Sequence, residues 1–111
     1  MGNEVKLMKE AAEFIDALPI KMKAKVLRTI NLLEEFGRLL PGPHSQTVKG
    51  YPGLKELRVK LGSDICRIFY FHSRQGLFIL TSGYVKKEMK LKHTEIDRAV
   101  RLMKLYLEEQ K

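Results

Sequence analysis

Ten lysine and arginine residues lie between Lys49 and Lys92, whereas the same stretch holds only three acidic residues. This stretch therefore carries nearly all of the net charge of +8 of the 111-residue chain. An arginine guanidinium can hold two phosphate oxygens at once, and a lysine ammonium provides a mobile point charge. Side chains of these types at this density indicate binding to phosphate groups, or chemistry on them.

RNA supplies its own nucleophile, the 2′-hydroxyl, so an enzyme that aligns this group with the adjacent phosphorus needs no metal ion. It needs a proton acceptor, cations that stabilise the transition state, and a proton donor for the leaving 5′-oxygen. Lysines crowded by other lysines lose a proton more easily, which makes Lys86 or Lys87 a candidate base. The other basic or polar candidates in this stretch are Arg58, Lys60, Arg67, Tyr70, Tyr84, Lys90, Lys92 and His93.

Two interpretations of these cations stay open on local sequence. A run of lysines such as the one from Lys86 to Lys92 is commonly a solvated surface. Arg67 lies within the apolar run from Ile65 to Phe69, where it either faces solvent and pairs with Glu56 of the preceding strand, or acts on phosphate. The residues around it do not choose between these two roles.

Several classes of enzyme lack their signatures here. The sequence contains neither a glycine-rich nucleotide-binding loop nor a zinc-protease motif. The histidines His44, His72 and His93 are not spaced like metal ligands, and Cys66 reads as a small buried hydrophobic residue. No cofactor is therefore predicted, and metal-dependent, glycosidic and serine-hydrolase activities are disfavoured.

The N-terminal half predicts a helical hairpin followed by a loop. Apolar residues recur at helical spacing over Glu4 to Ala17. Pro19 ends this helix and begins a second one, predicted from Ile20 to Phe36, which Gly37 stops. Prolines and glycines then predict a loop over Arg38 to Pro52.

The C-terminal half predicts a small sheet and a last helix. Antiparallel strands are expected over Leu54 to Leu61, Ile65 to Phe71 and Leu77 to Val85, because compact turns separate them. A helix is expected over Thr94 to Leu107, with Thr94 as N-cap. The fold class is thus α+β, one domain over residues 1–111, with helices on one sheet face and the basic side chains on the other.

Bulk properties limit location and partners. A pI near 9.7 favours nucleic acid as partner, then an acidic protein, then an anionic membrane surface. The sequence has no apolar run long enough to cross a membrane and no signal peptide, so a cytoplasmic protein is expected.

Five segments of the sequence resemble one known family in their order along the chain. The runs Gly53 to Lys60, Cys66 to Tyr70 and Gly83 to Lys87 resemble the HigB branch of the RelE superfamily, toxins of bacterial toxin–antitoxin modules that are related to a phage-derived protein group. The runs Glu13 to Pro19 and Leu32 to Gly37 fit as well. The family commonly begins with a β-strand before the first helix. Only the first few residues are available for it here, and a short strand over Glu4 to Leu7 is one alternative. The usual proline after the last strand is missing.

The resemblance implies a RelE-like fold of the microbial-RNase type, a hydrolase that cleaves mRNA on the ribosome without a metal ion, and neutralisation by a HigA-like helix-turn-helix antitoxin. It implies that Arg67 acts on the scissile phosphate, together with Lys87, Lys86 and, more distantly matched, His93. By position or charge, Arg58, Lys60, Lys90 and Lys92 would bind RNA. The competing hypotheses are a non-catalytic, phage-derived nucleic-acid-binding module and a protein-interaction module.

Overall fold

The computed structural model describes residues 3–86 and 92–110. Helices and strands follow one another as β1 (Val5–Leu7), α1 (Lys9–Asp16), α2 (Ile20–Phe36), β2 (Ser45–Thr47), β3 (Lys55–Leu61), β4 (Asp64–His72), β5 (Phe78–Lys86) and α3 (His93–Glu109). A short 3-10 turn, Gly37–Leu39, follows α2. The α+β class predicted from the sequence is confirmed.

The strands form one mixed sheet in the order β1-β5-β4-β3-β2. The three predicted strands are its antiparallel centre, and the short N-terminal strand is present as β1, which pairs parallel to β5 through Val5 and Phe78. The predicted first helix therefore begins at Lys9 and not at Glu4, since the residues before Met8 bond to the sheet edge instead.

A second edge strand lies where a loop was predicted. Ser45–Thr47 pairs antiparallel to Lys55–Leu57 of β3. These three polar residues lie between prolines and glycines and show no apolar alternation, so only the pairing with β3 makes them a strand. The loop prediction was wrong for this short piece.

Helices cover both faces of the sheet, contrary to the expectation that all of them lie on one. The α1–α2 hairpin packs with Val26, Leu33 and Ile68 in one apolar cluster. On the opposite face α3 packs through Ile96 and Ala99 in a second cluster, which includes Phe69 and Tyr84. The apolar stripe of α3 was recognised, but periodicity does not say which sheet face a helix covers.

The helix ends follow local chemistry to different degrees. Pro19 and Gly37 flank α2 as predicted, and Gly37 has a φ of 54°, which a residue without a side chain adopts readily. The first residue of α3 is His93, and its N-cap is Lys92, which makes no side-chain capping bond. The predicted Thr94 cap is therefore wrong, because the backbone N–H groups of Glu95 and Ile96 already bond to the carbonyl oxygen of Lys92.

Candidate functional site

A row of polar side chains crosses three neighbouring strands on the sheet face that α3 partly covers. Arg58 of β3 pairs with Arg67 of β4, and Arg67 pairs with Tyr84 of β5. Directly paired residues of antiparallel strands project to the same face and lie roughly 5 Å apart. Arg58, Arg67 and Tyr84 thus form what we call the transverse row.

Arg67 is buried and bonded to a carboxylate. Its Nη1 donates a hydrogen bond to Oε1 of Glu56, and the side chains of Arg67 and Glu56 are only 5% and 3% exposed. The pairing with Glu56 was one of the two sequence interpretations, but the solvent-facing position that accompanied it is wrong. The alternation of residues along β4 indicates that Arg67 points away from the α1–α2 hairpin. It does not indicate that other residues enclose the side chain on that face.

One carboxylate serves several cations at this point. Nε of Arg58 lies 4.0 Å from the same Oε1 atom of Glu56. Burial raises the pKa of Glu56 above its usual value, while the positive charges of Arg67, Arg58 and Lys86 act in the opposite direction. Since burial prevails, Glu56 holds its proton more tightly than an exposed glutamate does.

Three polar atoms in this cluster are buried without a hydrogen-bond partner among the described residues: Glu56 Oε2, Arg58 Nε and Arg67 Nε. Buried polar groups are normally bonded, so each unbonded one requires a physical reason, and a catalytic role is one such reason. Their presence on three adjacent side chains makes this cluster the candidate site.

Tyr84 completes the row with a group that keeps its proton at neutral pH. Burial raises the pKa of its phenol, against the opposing effects of the bond from Lys92 and the charge of Arg67. The backbone N–H of Lys92 donates to the Tyr84 oxygen over 3.1 Å. Because that oxygen already accepts a bond, the phenolic hydrogen is the part of the group left to donate.

Lys86 is the last residue of β5 and only 6% exposed. Its register places it beside Ile65, which pairs in turn with Lys60, on the same sheet face as Arg67. The sequence left open whether Lys86 belongs to a solvated basic run or acts as a base; the structure buries it within electrostatic reach of Glu56.

The remaining predicted residues lie around this cluster or outside the described chain. Lys60, Lys92 and His93 are exposed, Lys60 on β3 and the other two at the start of α3. Lys87 and Lys90 lie outside the described residues, so their predicted roles stay predictions.

Sequence reasoning noticed Glu56 only as a partner for Arg67. The spacing of Glu56 and Arg58 puts both side chains on one face of β3, and this spacing could have predicted the cluster. The register of β3 and β4 then brings Arg67 beside them. Within residues 3–86 and 92–110, no three His, Cys, Asp or Glu side chains come together as a metal site requires. No helix in the same residues combines the length and the apolar content needed to cross a bilayer.

The sequence matches one protein-family model, and the fold matches several solved structures. The family model described as "Phage derived protein Gp49-like (DUF891)" matches residues 13–104. The chain belongs to this Gp49-like family. No curated protein matches the chain significantly by sequence.

Solved structures of RelE proteins share the fold of this Gp49-like chain. A variant of Escherichia coli toxin RelE in the free state aligns with a TM-score of 0.65 and 16% identity, over 91% of this chain and 97% of that one. A chain of the archaeal RelE–RelB complex from Pyrococcus horikoshii OT3 aligns with a TM-score of 0.59 and 17% identity, over 81% of this chain and all (100%) of that one. A chain of the toxin–antitoxin complex RelBE2 from Mycobacterium tuberculosis aligns with a TM-score of 0.52 and 16% identity, over 78% of this chain and 100% of that one. The predicted relation to a phage-derived family is thereby confirmed, and so is the predicted RelE-like fold.

Proposed function

We propose that this chain is a single-domain toxin of a type II toxin–antitoxin module, and that it cleaves mRNA on the ribosome as a metal-independent endoribonuclease of the HigB type. The observation that carries the proposal is the buried guanidinium of Arg67, flanked by Arg58 and Tyr84 in the transverse row. Two adjacent guanidinium groups beside a neutral phenol suit a phosphodiester that gains negative charge during cleavage.

In the proposed reaction the ribose 2′-oxygen attacks the adjacent phosphorus and the bond from phosphorus to the 5′-oxygen breaks. Arg67 and Arg58 stabilise the charge on the non-bridging oxygens, with Lys86 nearby. The products are a 2′,3′-cyclic phosphate and a 5′-hydroxyl, so one proton must be removed and one supplied.

Glu56 and Tyr84 are the described groups best suited to move these protons. Oε2 of Glu56 has no hydrogen-bond partner among the described residues, and burial raises its pKa towards the range in which a base is effective. It replaces Lys86 as our candidate proton acceptor, and Tyr84 is the candidate donor to the leaving oxygen. The substrate approaches beside Arg58, whose side chain is 25% exposed and the most open of the row.

The proposed partner is a HigA-like helix-turn-helix antitoxin that covers the basic surface and holds the toxin inactive in the cytoplasm. Support comes from two structures with the same fold, of which the archaeal one is described as a RelE–RelB complex and the mycobacterial one as a toxin–antitoxin complex. The net charge of +8 favours an acidic antitoxin surface, because opposite charges accelerate and orient association.

Cleavage is tested with purified protein and translating ribosomes, using Arg67→Ala beside the parent. We expect the cleavage rate to fall at least about a hundredfold, the cost of losing a well-placed electrostatic group. Growth arrest on expression without antitoxin should disappear in parallel.

A second variant separates a chemical role from a structural one. The double substitution Glu56→Leu/Arg67→Met removes both buried charges together, a change that commonly preserves stability. We expect it to fold, shown by cooperative thermal unfolding, and to cleave no faster than Arg67→Ala. Parent-like cleavage by this folded double variant would refute the assignment of Arg67 and Glu56.

One observation favours a non-catalytic nucleic-acid-binding module as the second candidate. Arg67 is only 4% exposed, and its Nη1 is already bonded to Glu56, as in a purely structural ion pair. In that case RNA would bind to exposed side chains such as Lys60 and Lys92. The parent would then bind RNA without cleaving it, and Arg67→Ala would leave binding unchanged.

A further inference from the structure

A cavity of about 340 Å³ opens beside the transverse row, on the outer side of β3. β2 pairs with β3 only as far as Leu57, and the backbone N–H of Arg58 donates to the carbonyl oxygen of His44. The cavity lies next to the following part of β3, between that strand, α2 and the segment before β2. We call it the edge cavity.

The polar lining of the edge cavity is cationic. Lys25, Arg58 and Lys60 contribute charged side chains, His44 contributes an imidazole, and Val59 and Ile65 form part of the apolar wall. No carboxylate is found among the described residues that line it. Like charges gathered in one concave space repel one another, so an anion in this space lowers the free energy of the whole group.

The cations are held in place by contacts that leave donor capacity. Nζ of Lys25 donates to the carbonyl oxygen of Lys60, which ties α2 to β3 across the cavity and uses one of the three hydrogens of the ammonium group. Thr29, one helical turn after Lys25, donates its hydroxyl to the Lys25 carbonyl oxygen over 3.0 Å and lines the same wall. The bond to Lys60 thus holds the Lys25 ammonium group at the cavity, and two of its three hydrogens stay available to a ligand.

Arg58 connects the edge cavity to the candidate active site. Its Nε is buried without a hydrogen-bond partner in the described chain, and the carboxylate of Glu56 lies 4.0 Å away and is bonded to Arg67. Arg58 belongs to the transverse row and also lines the cavity. Lys60 is two residues further along the same strand face, which is a shift of roughly 6.6 Å.

From these contacts we infer that the edge cavity is a second phosphate subsite, which binds the RNA phosphate next to the one that is cleaved. The inference rests on the proposed function, since it takes RNA as the substrate. A strand whose scissile phosphate lies on Arg67 passes Arg58 and enters the cavity, where Lys25 and Lys60 contact the neighbouring phosphate. The subsite fixes the register of the chain on the row and contributes to substrate affinity.

The test uses an all-2′-deoxy tetranucleotide, which lacks the nucleophile and so reports binding independently of cleavage. Each of its three linkages is replaced in turn by a neutral methylphosphonate, and the dissociation constant is measured by NMR titration. We compare the parent with Lys25→Gln/Lys60→Gln and with a control of equal charge loss outside the cavity, Lys21→Gln/Lys104→Gln. Cooperative thermal unfolding establishes that both variants are folded.

We expect one linkage beside the central one to couple to the cavity. Neutralising it should weaken binding to the parent and to the control on the order of tenfold, as expected for a charge-assisted hydrogen bond, and have little effect on Lys25→Gln/Lys60→Gln. Backbone resonances of His44 and Lys60 should shift on titration. No coupling at either neighbouring linkage, or no shifts at these residues, would overturn the subsite, and this is also the result expected if the cavity receives only an acidic protein.

The outcome is separable from that of the nuclease proposal. Coupling without ribosomal cleavage would keep the subsite and remove the nuclease. Cleavage that depends on Arg67, with no coupling at the linkages, would keep the nuclease and remove the subsite.

Discussion

Arg67 and Glu56 form an ion pair inside a protein of this size, where removing two charged groups from water is costly. Their mutual hydrogen bond offsets part of that cost, yet Glu56 Oε2 and Arg67 Nε gain no partner among the described residues. Hydrogen bonds to these two atoms would stabilise the folded protein, and the cluster lacks that stabilisation. In the proposed function it is recovered when the phosphodiester binds and its oxygens and 2′-hydroxyl reach these atoms.

The pH dependence of cleavage tests the role of Glu56. A carboxylate accepts a proton only when it is ionised, so the rate should rise as the pH increases through the pKa of Glu56. Burial raises this pKa above the ordinary value of 4.5, which places the acidic limb of the pH–rate profile above pH 4.5. In Glu56→Gln we expect this limb to vanish and the single-turnover rate to fall about a hundredfold. An unchanged limb in this variant would assign the base to another group.

The buried Cys66 gives a second prediction at this scale. Burial raises the pKa of its thiol from 9.0 to about 12, so the folded protein retains the proton over a range in which the unfolded chain loses it. The stability that the neutral thiol provides is present below pH 9.0 and is lost as the pH rises towards about 12, at no more than about 1.4 kcal/mol per pH unit. Urea unfolding between these limits should show a shallower decline for Cys66→Ala than for the parent. Equal slopes would mean that the thiol ionises alike in both states.

At the scale of the elements, Gly83 sets the distance between α1 and β5. A Cβ atom at this position would lie 2.7 Å from Cε2 of Phe14 and 2.8 Å from the carbonyl oxygen of Arg67. Glycine in a strand normally weakens it, but here it lets the Phe14 ring rest against the strand backbone.

Substituting Gly83 tests the contact. We expect Gly83→Ala to lower the free energy of unfolding by about 2 kcal/mol, because the added methyl group overpacks the interface. Adding Phe14→Leu should recover part of the loss, since a smaller side chain leaves room. The control is Val85→Ala, because Val85 lies two residues further along the strand and is half-exposed. This substitution should lower the free energy of unfolding by less than Gly83→Ala does. A Gly83→Ala protein as stable as the parent would show that α1 moves away freely.

How much of these elements is readable from the sequence depends on whether local chemistry or distant contact decides them. Pro19 and Gly37 bound α2 by their own backbone preferences, so its limits were predicted correctly. Ser45–Thr47 becomes a strand only by pairing with β3, and no local pattern marks it. The edge cavity depends on Lys25 reaching across to Lys60, which only the packing of α2 reveals. The sequence predicted that Arg58 and Arg67 lie on neighbouring strands, but it did not predict that Arg67 is buried.

At the scale of the whole molecule, the positive charge is concentrated on β3, β4, β5 and the residues after them, while α3 covers the neighbouring part of the same face. The apolar contacts of α3 and the charged cluster thus share one side of the sheet. In the proposed function, RNA therefore binds to the half of the face that the helix leaves uncovered, where Arg58 and Lys60 lie.

The salt dependence of binding should report how many phosphates are held there. For single strands, the slope of log affinity against log salt changes by about 0.7 for each phosphate contact. We expect Lys25→Gln/Lys60→Gln to bind a short RNA with a slope shallower by about this amount, whereas Lys21→Gln/Lys104→Gln keeps the parental slope. Filter binding over a range of salt concentrations measures it. Equal slopes for the two variants would mean that overall charge, and not the cavity, attracts the RNA.

The parallel pairing of β1 with β5 joins the first described strand to the last one. During synthesis Val5–Leu7 leaves the ribosome long before its partner Phe78–Leu80 exists, and Tyr84 emerges later still. A half-made polypeptide consequently has an unfinished sheet and no Tyr84 beside Arg67. In the proposed function, the nascent chain therefore gains the capacity to cleave mRNA only after β5 has been made.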